Sequence, residues 1–242
     1  MSVLATDPQA RIAVRDVHKT FTLHTQGGVR LGVLAGATLD VAAGECVVLN
    51  GASGTGKSTL LRCMYANYQP TCGDVWVRHC GEWVNLSTAD PHEVIALRRA
   101  TVGWVSQFLR VIPRVSTLDV VAEPVIAQGV SRTDALDRAV ALLRVLNVSE
   151  RLWALAPATF SGGEQQRVNV ARGLVGAHPI LLVDEPTASL DDANADVVIE
   201  LLNEARIGGT AIVGIFHDTD VRHRVATRMY DVTNLTPLEE TL

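Results

Sequence analysis

The clearest chemistry in this sequence lies in eight consecutive residues, Gly51-Ala-Ser-Gly-Thr-Gly-Lys57-Ser58, which fit the spacing G-x-x-x-x-G-K-[ST]. Glycines at this spacing let the backbone curl until successive N–H groups face an anion, and a following helix adds the partial positive charge of its N-terminus. In such a loop Lys57 reaches the β- and γ-phosphates of a nucleotide and Ser58 offers its hydroxyl to Mg2+. Gly51, Ala52, Ser53, Gly54, Thr55, Gly56 and Thr59 complete the expected cradle. The context fits, because 45–50 reads as a buried strand and 58–65 has apolar residues at helical spacing.

A phosphate loop by itself does not choose among kinases, GTPases and motor ATPases. A second string, Ile180-Leu-Leu-Val-Asp184-Glu185, is an apolar strand ending in two acids. Buried paired carboxylates are costly unless a cation or a proton transfer uses them. Asp184 is therefore expected to serve Mg2+, directly or through its hydration sphere, and Glu185 to polarise an attacking water. A third string, Phe160-Ser-Gly-Gly-Glu-Gln-Gln-Arg167, places Ser161 as the cap of a helix running to about Val175. Gly162 and Gly163 leave backbone N–H groups bare at the positive end of that helix, which asks for an anion.

The third string resembles the signature motif of the ABC ATPase superfamily, commonly L-S-G-G-Q, with Phe160 in place of Leu and Glu164 in place of Gln. The resemblance extends over 12–232 and implies further site residues. Gln107, in Val105-Ser-Gln-Phe108, matches the glutamine that touches Mg2+ and the attacking water. Asp191, in Ser189-Leu-Asp191, matches the loop that crosses a dimer interface, and His217 matches the histidine that contacts the γ-phosphate. Phe21 matches the aromatic that stacks on adenine. In this family Ser161, Gly162, Gly163 and Glu164 meet the γ-phosphate held by a second subunit, so the resemblance implies an ATP-sandwich dimer. It also implies an active ATPase with ATP and Mg2+ as cofactors. The implied fold is α/β, an ABC-type P-loop NTPase with a RecA-like parallel-sheet core, an antiparallel β-subdomain and a helical subdomain.

The elements that must position these residues are partly legible. Short strands with turn residues are expected from 12 to 48, and further strand-like pieces from 75 to 104 suggest an antiparallel layer. Ser131-Arg-Thr-Asp134 reads as a capping box opening a helix that runs to Asn147, and a second short helix should open at Ser149 and stop at Pro157. The helical insert is thus expected at about 108–160. The runs 180–183 and 211–215 flank a helical stretch at 193–205 and point to a parallel core. Residues 1–10 are expected as a flexible tail and 11–242 as one ABC ATPase domain.

Composition bounds the rest. The 242 residues are 48% hydrophobic, ample for a core, and 21 Lys+Arg against 26 Asp+Glu advertise no pull toward nucleic acid or anionic lipid. No apolar run approaches the roughly 20 residues of a spanning helix. The first residues lack a basic flank followed by an apolar run, so no signal peptide is expected. Cys46, Cys63, Cys72 and Cys80 form no zinc-site spacing and read as reduced thiols, which fits a cytoplasmic protein.

Three strings outside the shared motifs, Tyr65-Ala-Asn-Tyr-Gln-Pro70, Gly103-Trp-Val-Ser-Gln-Phe-Leu-Arg-Val-Ile-Pro113 and Glu150-Arg-Leu-Trp153, resemble the L-subunit family of bacterial carbon–phosphorus lyase (phosphonate degradation) systems. That likeness implies a role in phosphonate catabolism, in the synthesis of alpha-D-ribose 1-methylphosphonate 5-triphosphate, with a sister ATPase and a phosphonate-processing core complex as partners. Arg110 and Arg114 would face the core complex or the sister ATPase, or form an ordinary solvated face. The same shared motifs also suit the nucleotide-binding subunit of a lipoprotein or macrolide exporter, docked on separate membrane subunits. Under either reading no nucleic acid and no direct membrane insertion are expected. A DNA-repair ABC protein is disfavoured, since no coiled-coil or zinc insertion is visible.

Overall fold

The computed structural model describes residues 7–23, 28–110 and 113–232. Two sheets carry the fold. The first is antiparallel, with β1 (Ala10–Leu23) between β2 (Val29–Ala42) and β4 (Cys72–His79), and β5 (Glu82–Asn85) beyond β4. The second is parallel throughout its ladders and runs in the order β6 (Val102–Val105), β7 (Ile180–Asp184), β8 (Ala211–Ile215), β3 (Cys46–Asn50) and β9 (Arg228–Asp231). Among the described residues seven α-helices join them: α1 (Lys57–Met64), α2 (Pro91–Ala100), α3 (Thr117–Ala127), α4 (Arg132–Val145), α5 (Gly162–Leu174), α6 (Asp192–Ile207) and α7 (Thr219–Val225).

The continuous apolar runs at β7 and β8 are buried at all five positions, as strands covered on both faces must be. Side chains alternate across the pleat, and the alternation sorts them into two cores. Val47, Leu49, Ile180, Leu182, Val213 and Ile215 join Ile12, Leu39 and Leu60 on the side of α1 and the antiparallel sheet. Val48, Leu181, Val183 and Ile212 join Val125, Leu143, Val168 and Leu202 on the side of α3 to α6. The parallel sheet is thus a shared wall between two apolar layers, and its carboxyl-terminal edge is held rigid by both.

The structure corrects the reading of three segments. Strands over 12–48 were expected to be short, yet β1 and β2 are single 14-residue strands that keep pairing by absorbing register shifts. The 75–104 stretch is not all antiparallel: it contains α2, and its last strand, β6, belongs to the parallel sheet. Asp90 caps α2 through the N–H groups of His92 and Glu93, Glu93 returns the bond, and Pro91 sits at the first turn, where its missing N–H costs nothing. The helix expected to open at Ser149 is a single 3-10 turn, Glu150–Leu152, followed by another at Pro157–Thr159. Of the tail expected over 1–10, residues 1–6 lie outside the described residues, and Ala10 already belongs to β1. Among the described residues no helix is long and apolar enough to cross a membrane.

Candidate functional site

β3 ends at Asn50 and α1 begins at Lys57, so the phosphate loop bridges a buried strand and a helix N-terminus. Gly51, Gly54 and Gly56 all take positive φ, and a Cβ at Gly56 would lie 2.8 Å from the carbonyl oxygen of Val33. Only glycine fits there. The N-terminus of α1 has no side-chain cap, which leaves its N–H groups for another acceptor. Lys57 curls over the loop and donates from Nζ to the carbonyl oxygens of Gly51 and Ala52, each at 2.7 Å. Burial lowers its pKa, opposed by the carboxylates of Glu185 and Asp184. Gly54, Gly56, Ser53, Ser58 and Thr59 share an open cavity with Lys57, and Glu185 and His217 close its far side.

The two acids fall on either side of the end of β7, Asp184 as its last residue and Glu185 just beyond it. Asp184 is 2% exposed and its Oδ1 accepts from Ser58 Oγ at 3.5 Å. Burial raises its pKa, and the neighbouring Glu185 charge raises it further. A buried carboxylate beside a hydroxyl is a hard oxygen pair that suits Mg2+, an ion that habitually completes its shell with phosphate oxygens and water. Among the described residues no cluster of three or more His, Cys, Asp or Glu side chains forms a metal cage. The Ser58–Asp184 pair beside the phosphate loop fits an ion held jointly with a nucleotide.

Glu185 adopts a left-handed backbone, φ 54°, with its N–H donating to the carbonyl of Ile215 at 2.9 Å. That conformation turns its side chain into the cavity. One carboxylate oxygen lies 2.7 Å from Nε2 of His217, and the other accepts from Nε2 of Gln107 at 3.0 Å. Gln107, Glu185 and His217, separated by 78 and 32 positions along the chain, form one hydrogen-bonded string. Of the three expected metal ligands, Ser58 and Asp184 meet directly, whereas Gln107 commits its amide nitrogen to Glu185.

The other expected phosphate element lies elsewhere on the chain. Ser161 caps α5 in a full capping box: its Oγ accepts from the Glu164 N–H, and a Glu164 carboxylate oxygen accepts from the Ser161 N–H at 3.0 Å and from its hydroxyl at 2.7 Å. Those bonds, the hydroxyl's first, lower the Glu164 pKa. Glu164 is thus a reciprocal cap within its own helix. Gly163 packs so closely on the loop after β7 that a Cβ would meet the Ser189 carbonyl oxygen at 2.9 Å. Asp191 caps α6, accepting from the N–H and the side-chain amide of Asn194. None of residues 161–164 or Asp191 lines the cavity around Lys57.

Phe21 is also outside that cavity. Its ring meets Tyr68 edge-on at 5.2 Å, and Lys19 Nζ sits 4.8 Å from its centroid. Sequence reasoning missed two contributors altogether. Val33 lines the cavity from β2, and Arg222 on α7 donates to the Asn50 side chain beside the phosphate loop.

Comparison with known proteins places this geometry. A family model described as "ABC transporter" matches residues 34–188. The macrolide export ATP-binding/permease protein MacB of Brucella melitensis is 37% identical over 230 residues, covering 95% of this chain and 34% of that protein. The pyoverdine export ATP-binding/permease protein PvdT of Pseudomonas aeruginosa is 37% identical over 228 residues, covering 94% and 33%. The chain spans about a third of the length of these curated relatives. The structure of the ATP-binding cassette MJ0796, a dimer in a post-hydrolysis state with ADP and Pi, matches with a TM-score of 0.82 at 29% identity, covering 91% of this chain and 93% of that one. None of these relatives is a phosphonate-processing protein, so the expected likeness to the carbon–phosphorus lyase L subunit gains no support from them. The architecture of a parallel core beside an antiparallel sheet is that of the solved cassettes, and the chain belongs to the ABC transporter family as an ATP-binding, ATP-hydrolysing cassette.

Proposed function

We propose that this chain is the nucleotide-binding part of an ABC export machine of the ATP-binding/permease kind, working as an ATP-sandwich dimer. One observation carries the dimer: the phosphate loop and the bare helix tip at 161–163, both built to hold phosphate, line no common cavity within one chain. A second cassette, presented head to tail, supplies the missing half to each. The likeness to a dimeric ADP-bound cassette and to export ATP-binding/permease proteins supports this reading over the carbon–phosphorus lyase one. In it, residues 11–242 act as one ABC ATPase domain with a helical subdomain at about 108–160.

The roles follow from the geometry. Lys57 exchanges its two carbonyl acceptors for phosphate oxygens. Ser58 and Asp184 would hold Mg2+, which when bound neutralises phosphate charge. Glu185 accepts the proton of the attacking water, and His217 and Gln107 fix its two oxygens so that a single rotamer faces the cavity. Gly162 and Gly163 offer N–H donors to the triphosphate on the other subunit, and Ser161 adds its hydroxyl by exchanging the Glu164 carboxylate for a phosphate oxygen. Loss of that shared phosphate lets the lobes part, and the helical subdomain passes the motion to its partner. Phe108, Arg110 and Arg114, exposed on the segment after Gln107, would lie where a membrane subunit docks on the cytoplasmic side.

The deciding experiment is affinity capture of the tagged chain from detergent-solubilised cells, including cells grown on a phosphonate as sole phosphorus source. Recovery of an integral membrane permease whose presence stimulates ATP hydrolysis is the expected result. Recovery of soluble phosphonate enzymes without a permease would overturn the export reading in favour of the lyase.

A further inference from the structure

Two amides on the inner face of α5 have no part in the chemistry described above. Gln166 and Asn169 stand one turn apart, 5% and 3% exposed, in a helix whose other inward residues are Val168, Val170, Ala171 and Gly173. A buried amide is costly unless its polar atoms are used, and here the Gln166 amide uses its nitrogen and its oxygen and Asn169 uses its nitrogen. Gln166 Nε2 donates to the carbonyl oxygens of Pro186 at 3.0 Å and Glu185 at 3.4 Å. Its Oε1 accepts from Asn169 Nδ2 at 3.4 Å, and Nδ2 also donates to the carbonyl oxygen of Ser106. The two carbonyls at 185 and 186 require a donor, so the orientation of the Gln166 amide is forced, and that in turn orients Asn169.

The three carbonyls lie at one kind of place. β6 ends at Val105 and β7 ends at Asp184, so Ser106, Glu185 and Pro186 are the first residues past the ends of two neighbouring strands. Ser106 and Pro186 lie past the paired register, and Glu185, which keeps one bond from its N–H to the Ile215 carbonyl, has already turned to a left-handed conformation. The side chains carried by these strand ends, Gln107 and Glu185, are the ones that meet at 3.0 Å. One helix therefore ties both halves of that pair, and it is the helix whose N-terminal tip is Ser161 to Gly163.

We propose that Gln166 and Asn169 are positioning residues that lock the Gln107–Glu185 pair to α5, so that seating a phosphate on the tip of α5 sets the aim of the Glu185 carboxylate. The inference rests on the sandwich reading given above and adds to it a route from the helix tip to the hydrolytic carboxylate. A rigid helix and two hydrogen-bonded amides complete that route, and neither amide lines the Lys57 cavity.

The test is a double-mutant cycle on steady-state ATP hydrolysis with Asn169→Ala, Gln107→Ala and the pair. Asn169→Ala is expected to lower kcat about tenfold with KM for ATP within about twofold, the pattern of an interaction felt after binding. In the Gln107→Ala background the same substitution is expected to change kcat by less than about twofold, because its target is gone. A purely structural role gives instead the same fold-loss in both backgrounds, and that additivity overturns the proposal. Should Asn169→Ala destabilise the fold, Gln166→Met, which keeps volume and removes the donors to the Glu185 and Pro186 carbonyls, is expected to lower kcat about tenfold with KM for ATP within about twofold, and an unchanged kcat there overturns the proposal. Failure of the underlying reading is distinct: a wild-type chain that neither hydrolyses ATP nor dimerises with MgATP sinks the sandwich, whereas an active, dimerising chain with additive mutants sinks only the amide lock.

Discussion

Replacing Glu185 by Gln separates a chemical role from a structural one by size of effect. The carboxylate side chain is 14% exposed and makes two hydrogen bonds, to His217 at 2.7 Å and to Gln107 at 3.0 Å. An amide of the same shape keeps one acceptor oxygen, and a neutral imidazole at His217 can present a lone pair to its NH2. At most one bond is lost, worth about 0.5–1.5 kcal/mol, so a structural role predicts no more than about a tenfold fall in any rate. Removing a general base typically costs about 10²–10⁴ in rate, or roughly 2.7–5.4 kcal/mol of barrier. The amide cannot accept the water's proton at neutral pH, so the second figure applies. Single-turnover hydrolysis with MgATP in excess of its affinity measures the step, and calorimetry on the same variant checks that ATP still binds. A fall of at least a hundredfold with binding kept within about threefold is expected, with the ATP-bound dimer accumulating in size-exclusion chromatography. A loss smaller than tenfold would refute the assignment of proton acceptance to Glu185.

Three further outcomes are expected. Lys57→Ala removes the ammonium that bridges the phosphate loop, and titration calorimetry should show MgATP affinity weakened by at least about tenfold; unchanged affinity would contradict the loop's role. Gly173→Ala would put a Cβ 2.3 Å from Val105 Cγ2 and 3.2 Å from the Trp104 carbonyl oxygen, between a helix and a strand that cannot both yield. Overpacking of about 1–3 kcal/mol then outweighs the about 1 kcal/mol that alanine gains in a helix, and Tm should drop by a few degrees rather than rise. His178 is buried among Gly103, Gly176, Gln128 and the Arg99 carbonyl, and burial depresses its pKa. The unfolded chain therefore takes up a proton first as pH falls below about 6.5, so this site's contribution is whole above that pH and is lost on acidification. Urea midpoints measured at pH 7.5 and 5.5 should differ less in His178→Gln than in the parent, and an identical difference would exclude the site.

The contiguous elements of the candidate site were legible because each is local. A phosphate loop needs contiguous glycines before a lysine, β7 and β8 announce themselves as unbroken apolar runs, and Ser161 with Glu164 writes its cap in four residues. α2 was readable too: Asp90, Pro91 and Glu93 spell a helix start, but Pro91 equally marks a turn, and as a turn it fitted the strand-like reading of 75–104. What sequence could not show is contact across the chain. Asn169 reaches a carbonyl 63 positions away, and Gln166 one at 19, so their amides read as unremarkable helix residues until the fold closes. Phe21 matched a motif by position, yet its ring partners, Tyr68 and Lys19, are set by where the loop after α1 returns to β1. Of the strings that suggested a phosphonate system, two lay between the motifs, where nothing chemical constrains the residue types, and the third enclosed the shared Gln107; they carried no weight against relatives matched over nearly the whole chain.

The point at which β7 stops gives two nearly identical acids different surroundings. Asp184 shares the parity of Ile180 and Leu182, which delivers it to the buried side against Ser58, whereas Glu185 leaves the pleat through a backbone at φ 54°. Nothing in the carboxyl groups themselves distinguishes them. A one-residue insertion or deletion within the strand would carry Asp184 off the face that meets Ser58, even with every residue of the motif retained. The division proposed between ion holder and base is, in this sense, a matter of where the ladder ends.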